Sequence, residues 1–182
     1  MFKIFVATIL LSTPLGLSWQ SKQPDIPRIE GYQYYYGDRN WGTIVYLSKQ
    51  DIIGLESELQ LIFLGKKISS AILILGPAGL NDYNCIRKYK KIVRLLTNKY
   101  GYSKALKEVR DPDIDDIISA TVCYPIRVGL REIKTIWKTK QFGIEAFLLG
   151  DDEGYYIEIT YTNLFLSKEK KKQDMKEIIK KL

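Results

Sequence analysis

Four carboxylates lie close together in the segment 111–116, which is the largest group of potential catalytic or metal-binding side chains in the sequence. They are Asp111, Asp113, Asp115 and Asp116. Alternating carboxylates are typical of the start of a calcium-binding loop, because hard cations bind several oxygen ligands at once. Such a loop needs a glycine at its sixth position and a glutamate at its twelfth, where this chain has Asp116 and Val122. We therefore predict no metal here and interpret the segment as a solvated loop.

The chain contains no histidine, and this absence restricts the available chemistry more than any motif does. Ser-His-Asp and Cys-His nucleophilic sites need an imidazole base, and the usual imidazole zinc centres need its ring nitrogen. Two cysteines far apart in sequence form neither a Cys-X-X-Cys redox motif nor a four-cysteine zinc site. We predict that the protein is not an enzyme and uses no cofactor. The alternative is a small hydrolase or ligand-binding enzyme that uses the carboxylates of 111–116.

The two cysteines, Cys85 and Cys123, are predicted to form a disulfide. Disulfides persist in exported proteins, and two cysteines that pair leave no free thiol. Cys85 lies on the apolar stripe of a predicted helix, and Cys123 lies in a segment with strand character, so the two sulfurs are expected to meet between helix and sheet. Two separate buried thiols remain the alternative, because free cysteine packs as a small apolar residue.

One amphipathic helix is predicted over residues 82–100, and the rest of the domain is expected to be organised around it. Asn81 or Asp82 provides a side-chain cap at its start, and Gly101 provides the left-handed residue that ends it. The apolar residues recur every three or four positions, which is typical of one buried stripe. These residues are Cys85, Ile86, Tyr89, Ile92, Val93, Leu96 and Tyr100. The opposite face carries Arg87, Lys91 and Arg94.

Strand-like segments precede and follow this helix. Two hairpins are the clearest, one over 58–64 and 68–75 and the other over 142–149 and 155–165, because β-forming residues flank a short polar turn in each. Strands in clusters around one helix, without regular strand–helix alternation, favour an α+β fold. We therefore predict an antiparallel β-sheet packed by one central amphipathic helix, with a short C-terminal helix in addition.

Other segments are assigned less directly. Residues 117–124 have the composition of a strand closed by Pro125, and residues 102–116 read as mostly loop. Ser167 is the expected cap of the C-terminal helix. The predicted organisation is a signal peptide over 1–18, an extended lead-in over 19–30, a single α+β domain over 31–166 and a basic helix over 167–182.

The N-terminal residues have the layout of a signal peptide. Lys3 supplies the positive start, and the apolar run Ile4–Leu11 follows. The small residues before a cut ahead of Trp19 are Gly16 and Ser18. The run is short for a membrane span of about 20 residues, and no second run of that length follows it. We expect a periplasmic or secreted protein whose mature chain has no transmembrane segment, and the alternative is a retained anchor or a buried N-terminal strand.

The formal net charge of +7 indicates a basic protein. Because the charge is spread along the chain, we interpret it as a solvated surface and do not expect nucleic acid as a partner. The alternative is a protein that binds an anionic surface through the basic C-terminal helix, with help from Arg87, Lys91 and Arg94. Tyr32, Tyr34 and Tyr36 are expected to share one strand face.

Several packing residues carry a resemblance to known proteins. They are Lys99–Gly101 at the end of the predicted helix, Trp137 in a strand before an aliphatic strand, and Ile157–Tyr161 in the closing strand. Over Leu59–Tyr161 the chain resembles small exported proteobacterial proteins of uncharacterised function. The resemblance implies export and an α+β fold, and it carries no catalytic positions. The leading hypothesis is a non-enzymatic exported domain that binds another protein of the bacterial envelope.

Overall fold

The computed structural model describes residues 32–38, 42–48, 51–65, 67–78, 84–110, 123–151 and 153–181. Within these ranges the chain forms eight strands and three helices. The strands are β1 (Tyr32–Asp38), β2 (Thr43–Ser48), β3 (Ser57–Leu64), β4 (Lys67–Ala78), β5 (Ala105–Arg110), β6 (Arg131–Lys138), β7 (Phe142–Asp151) and β8 (Gly154–Asn163). The helices are α1 (Cys85–Tyr100), α2 (Tyr124–Arg127) and α3 (Leu164–Lys181).

The strands form one antiparallel sheet in the order β1-β2-β3-β4-β8-β7-β6-β5. Strands β1 to β4 pair with their neighbours in sequence, and so do β5 to β8. The two groups of four meet where β4 pairs with β8. Helix α1 follows the first group and α3 follows the second, so the chain runs through four strands and a longer helix twice. The predicted antiparallel sheet is confirmed, and both predicted hairpins are present as β3–β4 and β7–β8.

One face of the sheet is buried across most of its width. Buried and half-buried residues alternate along β3 and along most of β7, which is the pattern of a strand with one face on the core. The pairing register aligns the inward-facing residues of five strands in one row. That row consists of Leu59, Leu73, Ile159, Ala146 and Thr135. All five are buried and all but Thr135 are apolar, so the row forms the middle of the hydrophobic core.

Helix α1 packs on this buried face and contacts β6, β7 and β8. Four residues of the predicted stripe are buried, namely Cys85, Tyr89, Ile92 and Leu96. Gly101 ends the helix with a φ of 83°, and its N–H donates to the carbonyl oxygen of Thr97 at 2.9 Å. That φ favours glycine, as the sequence predicts. The proposed caps Asn81 and Asp82 lie outside the described residues, and the helix as described begins at Cys85.

Helix α2 replaces the last part of a predicted strand. The prediction of a strand over 117–124 is wrong for Cys123 and Tyr124, because Cys123 precedes a short helix that Tyr124 begins; residues 117–122 lie outside the described part. Pro125 lies within the first turn of that helix, where its missing N–H costs nothing. The backbone of α2 lies so close to Gly150 of β7 that a Cβ there would overlap the carbonyl oxygen of Ile126.

Strand β5 was predicted as loop, and that prediction is wrong for Ala105–Arg110. This segment pairs with β6 along its whole length and forms one edge of the sheet. An edge strand has a neighbour on one side only and tolerates charged residues, which also discourage pairing with other chains. The polar composition that suggested a loop is therefore compatible with an edge strand.

Helix α3 begins three residues earlier than predicted. The expected cap was Ser167, but Asn163 caps the helix, because its Oδ1 accepts hydrogen bonds from the N–H groups of Phe165 at 3.0 Å and Leu166 at 3.2 Å. The predicted domain boundary between 166 and 167 consequently falls inside α3. Leu166 is buried, whereas Phe165 is 66% exposed. None of the described helices combines the length and the hydropathy needed to cross a membrane.

Candidate anion-binding site

The predicted disulfide between Cys85 and Cys123 is confirmed. It joins the first residue of α1 to the residue before α2, with a Cα–Cα distance of 5.9 Å. Both residues are buried, and the sequence contains no other cysteine. The bond therefore has a structural role, and it leaves no thiol for catalysis or metal binding.

The carboxylates of 111–116 lie outside the described residues, so their arrangement adds nothing to either hypothesis about them. In the described part of the chain, no three acidic or cysteine side chains come together as a metal site. The acidic turn near Asp151 contains one local hydrogen bond, from the N–H of Glu153 to Asp151 Oδ1 at 3.0 Å. That contact is typical of a turn residue.

The prediction that Tyr32, Tyr34 and Tyr36 share one face of β1 is wrong for Tyr36. A register shift between Tyr34 and Tyr36 breaks the alternation of the strand. Tyr34 lies opposite Tyr46, and the two rings meet edge to face with their centroids 6.2 Å apart. Tyr36 lies opposite Val45 on the other side of the sheet. Such bulges are common in edge strands, which they protect from further pairing. The strand therefore presents no continuous row of aromatic rings for stacking on a ligand.

Two tyrosines, Tyr100 and Tyr161, pack together at the end of α1. The rings of Tyr100 and Tyr161 meet edge to face at 6.3 Å. Burial raises the pKa of Tyr100 to about 12, and burial together with the neighbouring hydroxyls raises the pKa of Tyr161 well above 10. Both hydroxyls are therefore neutral at ordinary pH. Both rings pack in or against the hydrophobic core, and neither hydroxyl is available as a base.

A cavity of about 500 Å³ lies against the outer face of α1, and we call it the cationic cavity. Its lining consists of Ile53, Arg87, Lys88, Lys90, Lys91 and Arg94. Five of the six side chains carry a positive charge, and the sixth is apolar. The volume falls within the range of about 300–1,000 Å³ that small-molecule sites occupy.

The sequence of α1 places these cations by helical spacing. Arg87, Lys91 and Arg94 recur at four and three positions, which puts them on one stripe of an α-helix. The stripe that begins at Cys85 lies on the opposite side and is held in the core by burial and by the disulfide. The rotation of α1 about its axis is therefore fixed, and Arg87, Lys91 and Arg94 point outward.

The positive charge of α1 is not balanced within the helix. The segment Cys85–Tyr100 contains two arginines and four lysines and no aspartate or glutamate. Lys91 stands four positions from Arg87 and three from Arg94, where like charges destabilise a helix by about 0.2–0.5 kcal/mol per pair. Arg87 and Lys88 lie near the helix start, where the helix dipole disfavours cations. The arrangement costs stability and raises the local positive potential.

Carboxylates from elsewhere do not neutralise this face in the part of the chain that the structure describes. There, no ion pair involves Arg87, Lys90, Lys91 or Arg94. Asp51 and Glu56 flank the neighbouring turn, but both are exposed and neither belongs to the cavity lining. A solvated helix face ordinarily mixes both signs of charge, whereas this face carries one sign only.

The turn between β2 and β3 supplies the apolar part of the lining. Ile52 and Leu55 are buried and exchange two backbone hydrogen bonds of 2.8 and 3.0 Å, which close a two-residue hairpin. The tip residues Ile53 and Gly54 have φ values of 54° and 76°. Asparagine and glycine normally occupy such tips, and an isoleucine there carries strain of about 1–2 kcal/mol. Backbone strain of this kind is concentrated at functional sites.

A hydrogen bond joins the turn to the helix. Lys88 Nζ donates to the carbonyl oxygen of Gly54 at 3.4 Å, a long contact that nevertheless places the tip of the hairpin beside the first turns of α1. The helical spacing predicts Arg87, Lys91 and Arg94 on one face, but it does not predict that Lys88, Lys90 and Ile53 join them in the cavity lining. The absence of any acidic residue in α1 could have indicated the additional cations. The position of Ile53 depends on tertiary structure and could not be predicted.

Comparison with known proteins identifies no relative of this chain. No protein-family profile, no curated protein and no solved structure matches it.

Proposed function

We propose that this chain is an exported, non-enzymatic binding domain of the bacterial envelope, organised around α1 as its central helix, and that it binds an anionic ligand. The observation that carries the proposal is the cationic cavity, whose lining consists of five positive side chains and one apolar residue. Three local costs meet there: repulsion between like charges, cations near the start of a helix, and a strained isoleucine. Natural sequences tolerate such violations chiefly at functional sites.

Export is supported by the sequence of the first 18 residues and by the buried disulfide. Disulfides are rare in reducing compartments and common in exported proteins. We expect the mature protein to begin at Trp19, outside the cytoplasm. N-terminal sequencing of the protein isolated from its own host checks this, and a chain that retains Met1 in a membrane fraction would refute it.

The absence of histidine supports a binding role over catalysis. The hydrolase alternative depends on Asp111, Asp113, Asp115 and Asp116, and no other observation favours it. Binding of an anionic surface through α3 alone is a second alternative. The exposed cations Lys168, Lys171 and Lys172 would allow it, but this helix also carries Glu169, Asp174 and Glu177.

Chromatography of the mature chain on phosphocellulose tests whether the cationic cavity binds anions. The variant Lys91→Glu/Arg94→Glu reverses two charges in the cavity. Its matched control, Lys138→Glu/Lys140→Glu, reverses two exposed lysines at the β6–β7 connection and changes the net charge equally. We expect the cavity variant to elute at clearly lower salt than the control. Elution of both variants at the same salt would show that only net charge matters and would overturn the proposal.

A further inference from the structure

The face of the sheet opposite the hydrophobic core, which we call the outer face, is less polar than a solvated face. Its centre consists of two rows across β3, β4, β8, β7 and β6, namely Glu58-Ile74-Glu158-Phe147-Lys134 and Gln60-Ile72-Thr160-Glu145-Ile136. Residues 71–75 of β4 are apolar without interruption, which is typical of a strand covered on both faces. Ile72 and Ile74 are nevertheless only half-buried, so the middle of the outer face lacks the cover that its sequence predicts.

The outer face is also acidic, although the protein is basic. Its two central rows contain three glutamates and one lysine. Lys134 pairs with Glu145 at 2.7 Å, which leaves the carboxylates of Glu58 and Glu158. Each of these two accepts a hydrogen bond from a neighbouring polar side chain, and neither has a cationic partner among the described residues.

Helix α3 has a side that its own domain leaves uncovered. Leu166 is buried, whereas Met175 is 58% exposed. Nine positions separate the two residues, which is about two and a half helical turns, so they lie on opposite sides of the helix. In the sequence, Ile178 and Ile179 follow Met175 at the spacing of one helical stripe. The side of α3 that carries Met175 therefore faces away from the domain to which Leu166 attaches the helix.

This helix and the outer face are complementary. The segment 167–182 contains seven lysines and three acidic residues, and Lys168, Lys171 and Lys172 are exposed. Helix α3 has 18 residues and is about 27 Å long, whereas the five strands of the outer face span about 19 Å. A basic helix with an apolar stripe is thus long enough to cross the acidic, apolar centre of the sheet. It cannot cross its own sheet in this way, because Leu166 holds the opposite side of the helix against the domain.

We propose that two copies of the chain form a two-fold symmetric dimer, in which α3 of each copy packs its Met175 side on the outer face of the other. Symmetric exchange makes both contacts at once and leaves neither surface free to bind a third copy. The attraction between the basic helix and the acidic face also favours this partner over one of the same charge. The cationic cavity lies beside α1, which packs on the other face of the sheet, so the dimer does not depend on the anionic ligand proposed above.

Sedimentation velocity of the mature chain over about a hundredfold range of concentration tests the proposal, and we expect a monomer–dimer equilibrium. The helix variant is Met175→Gln/Ile179→Gln, and the sheet variant is Ile72→Thr/Ile74→Thr, which keeps the β-branched shape. Each should weaken dimerisation by about tenfold or more, because it removes apolar surface from both contacts. The control Tyr102→Gln, at a residue that is 93% exposed and outside both surfaces, should leave dimerisation unchanged. A chain that is monomeric throughout, or two variants that dimerise like the wild type, would overturn the proposal.

A mixture of the two variants distinguishes exchange of α3 from other dimers. Each variant alone has both contacts damaged, whereas a mixed dimer has one intact contact, between the unchanged helix of one variant and the unchanged sheet of the other. We expect the mixture to dimerise more tightly than either variant by itself. A mixture as weak as its components would mean that the copies associate through another surface. Urea unfolding below the dissociation constant, where dimerisation adds little stability, checks that each variant is folded.

Salt and lipid provide the last tests. Added salt should weaken the dimer, because it screens the attraction between exposed charges, and Glu58→Gln/Glu158→Gln should remove most of this dependence. Equal salt dependence in that variant and the wild type would contradict the assigned face. If the mature chain is monomeric and sediments with anionic vesicles in a manner that Met175→Gln/Ile179→Gln abolishes, the partner of α3 is a lipid surface and the dimer is wrong.

Discussion

Tyr89 shows what the sequence reveals about a single residue and what it does not. Its position on the apolar stripe of α1 predicted burial, and only 4% of its surface is exposed. Its hydroxyl donates to the carbonyl oxygen of Ala146 at 2.8 Å and lies 2.8 Å from Thr135 Oγ1, whose own proton completes the second hydrogen bond. This network joins α1 to β6 and β7. It could not be predicted, because it depends on the register of strands distant in sequence.

The variant Tyr89→Phe is expected to lower the free energy of unfolding by about 1–3 kcal/mol, because it leaves buried polar groups without a partner. Urea unfolding measures the change. Tyr34→Phe, at a residue that is 44% exposed, is the control and should change stability by less than about 0.5 kcal/mol. Equal effects of the two substitutions would show that the buried hydroxyl contributes nothing. In the Tyr89→Phe background, Thr135→Val should cost less than it does alone, since the partner hydroxyl is already gone.

At the scale of elements, the sequence predicted the segments whose patterns are long and regular. The stripe of α1 and both hairpins are present, because burial of one face imposes a period that a single sequence displays. Strand β5 was missed because it lies at an edge and needs few apolar residues. Helix α2 was missed because its four residues carry no period, and it is held by the disulfide and by close approach to Gly150. The cationic face of α1 was partly visible, but the turn that completes the cavity was not.

Helix α3 leads to a prediction about truncation. Removal of residues 167–182 is expected to change the free energy of unfolding by less than about 1 kcal/mol, because most described side chains beyond Leu166 are exposed. Removal of residues 164–182 should cost a further 1.5–3 kcal/mol or so, since it also removes the buried Leu166 side chain. Urea unfolding of both truncated proteins tests the boundary. Loss of cooperative unfolding after the shorter truncation would mean that the whole of α3 belongs to the core.

At the scale of the whole molecule, one hydrophobic core serves both groups of four strands. Residues of β2, β3 and β4 belong to the same buried cluster as residues of β6, β7, β8 and α1. The sequence predicted an α+β domain with an antiparallel sheet, but not the pairing of β4 with β8. That pairing joins strands about ninety positions apart, and local patterns carry no information about it. Because this core contains several buried tyrosines, the stability of the protein is expected to depend on pH.

Stability is expected to fall at alkaline pH. Burial raises the pKa of Tyr46 and of Tyr89 to about 12, against about 10 in the unfolded chain. The raised pKa values contribute fully to the free energy of unfolding below pH 10, and this contribution is lost as the pH rises towards 12. By pH 11 the loss is about 1 kcal/mol for each tyrosine. Burial lowers the pKa of Lys99 to about 8, so its effect has the opposite sign between pH 8 and 10.5. Urea unfolding at several pH values should show maximal stability near pH 10, and constant stability up to pH 11 would contradict this.

The last prediction concerns the disulfide, which closes a loop containing α1 and the first strand of the second group. Cys85 and Cys123 are 38 residues apart, and the loop that they close contains α1 and β5. Closing a loop of that length lowers the entropy of the unfolded chain and so raises the free energy of unfolding by about 4 kcal/mol. That is a large share of a typical stability of about 5–15 kcal/mol. Reduction should therefore lower the melting temperature markedly.

Two preparations distinguish the contribution of the covalent bond from that of the buried sulfur atoms. Wild-type protein reduced with dithiothreitol keeps both sulfurs, whereas Cys85→Ala/Cys123→Ala removes them and leaves small cavities in the core. Both should melt well below the oxidised protein, the double variant by the larger amount. Thiol titration in denaturant should find no free thiol before reduction and two after it. Two free thiols in protein isolated from the envelope of its own host would show that the bond does not form there.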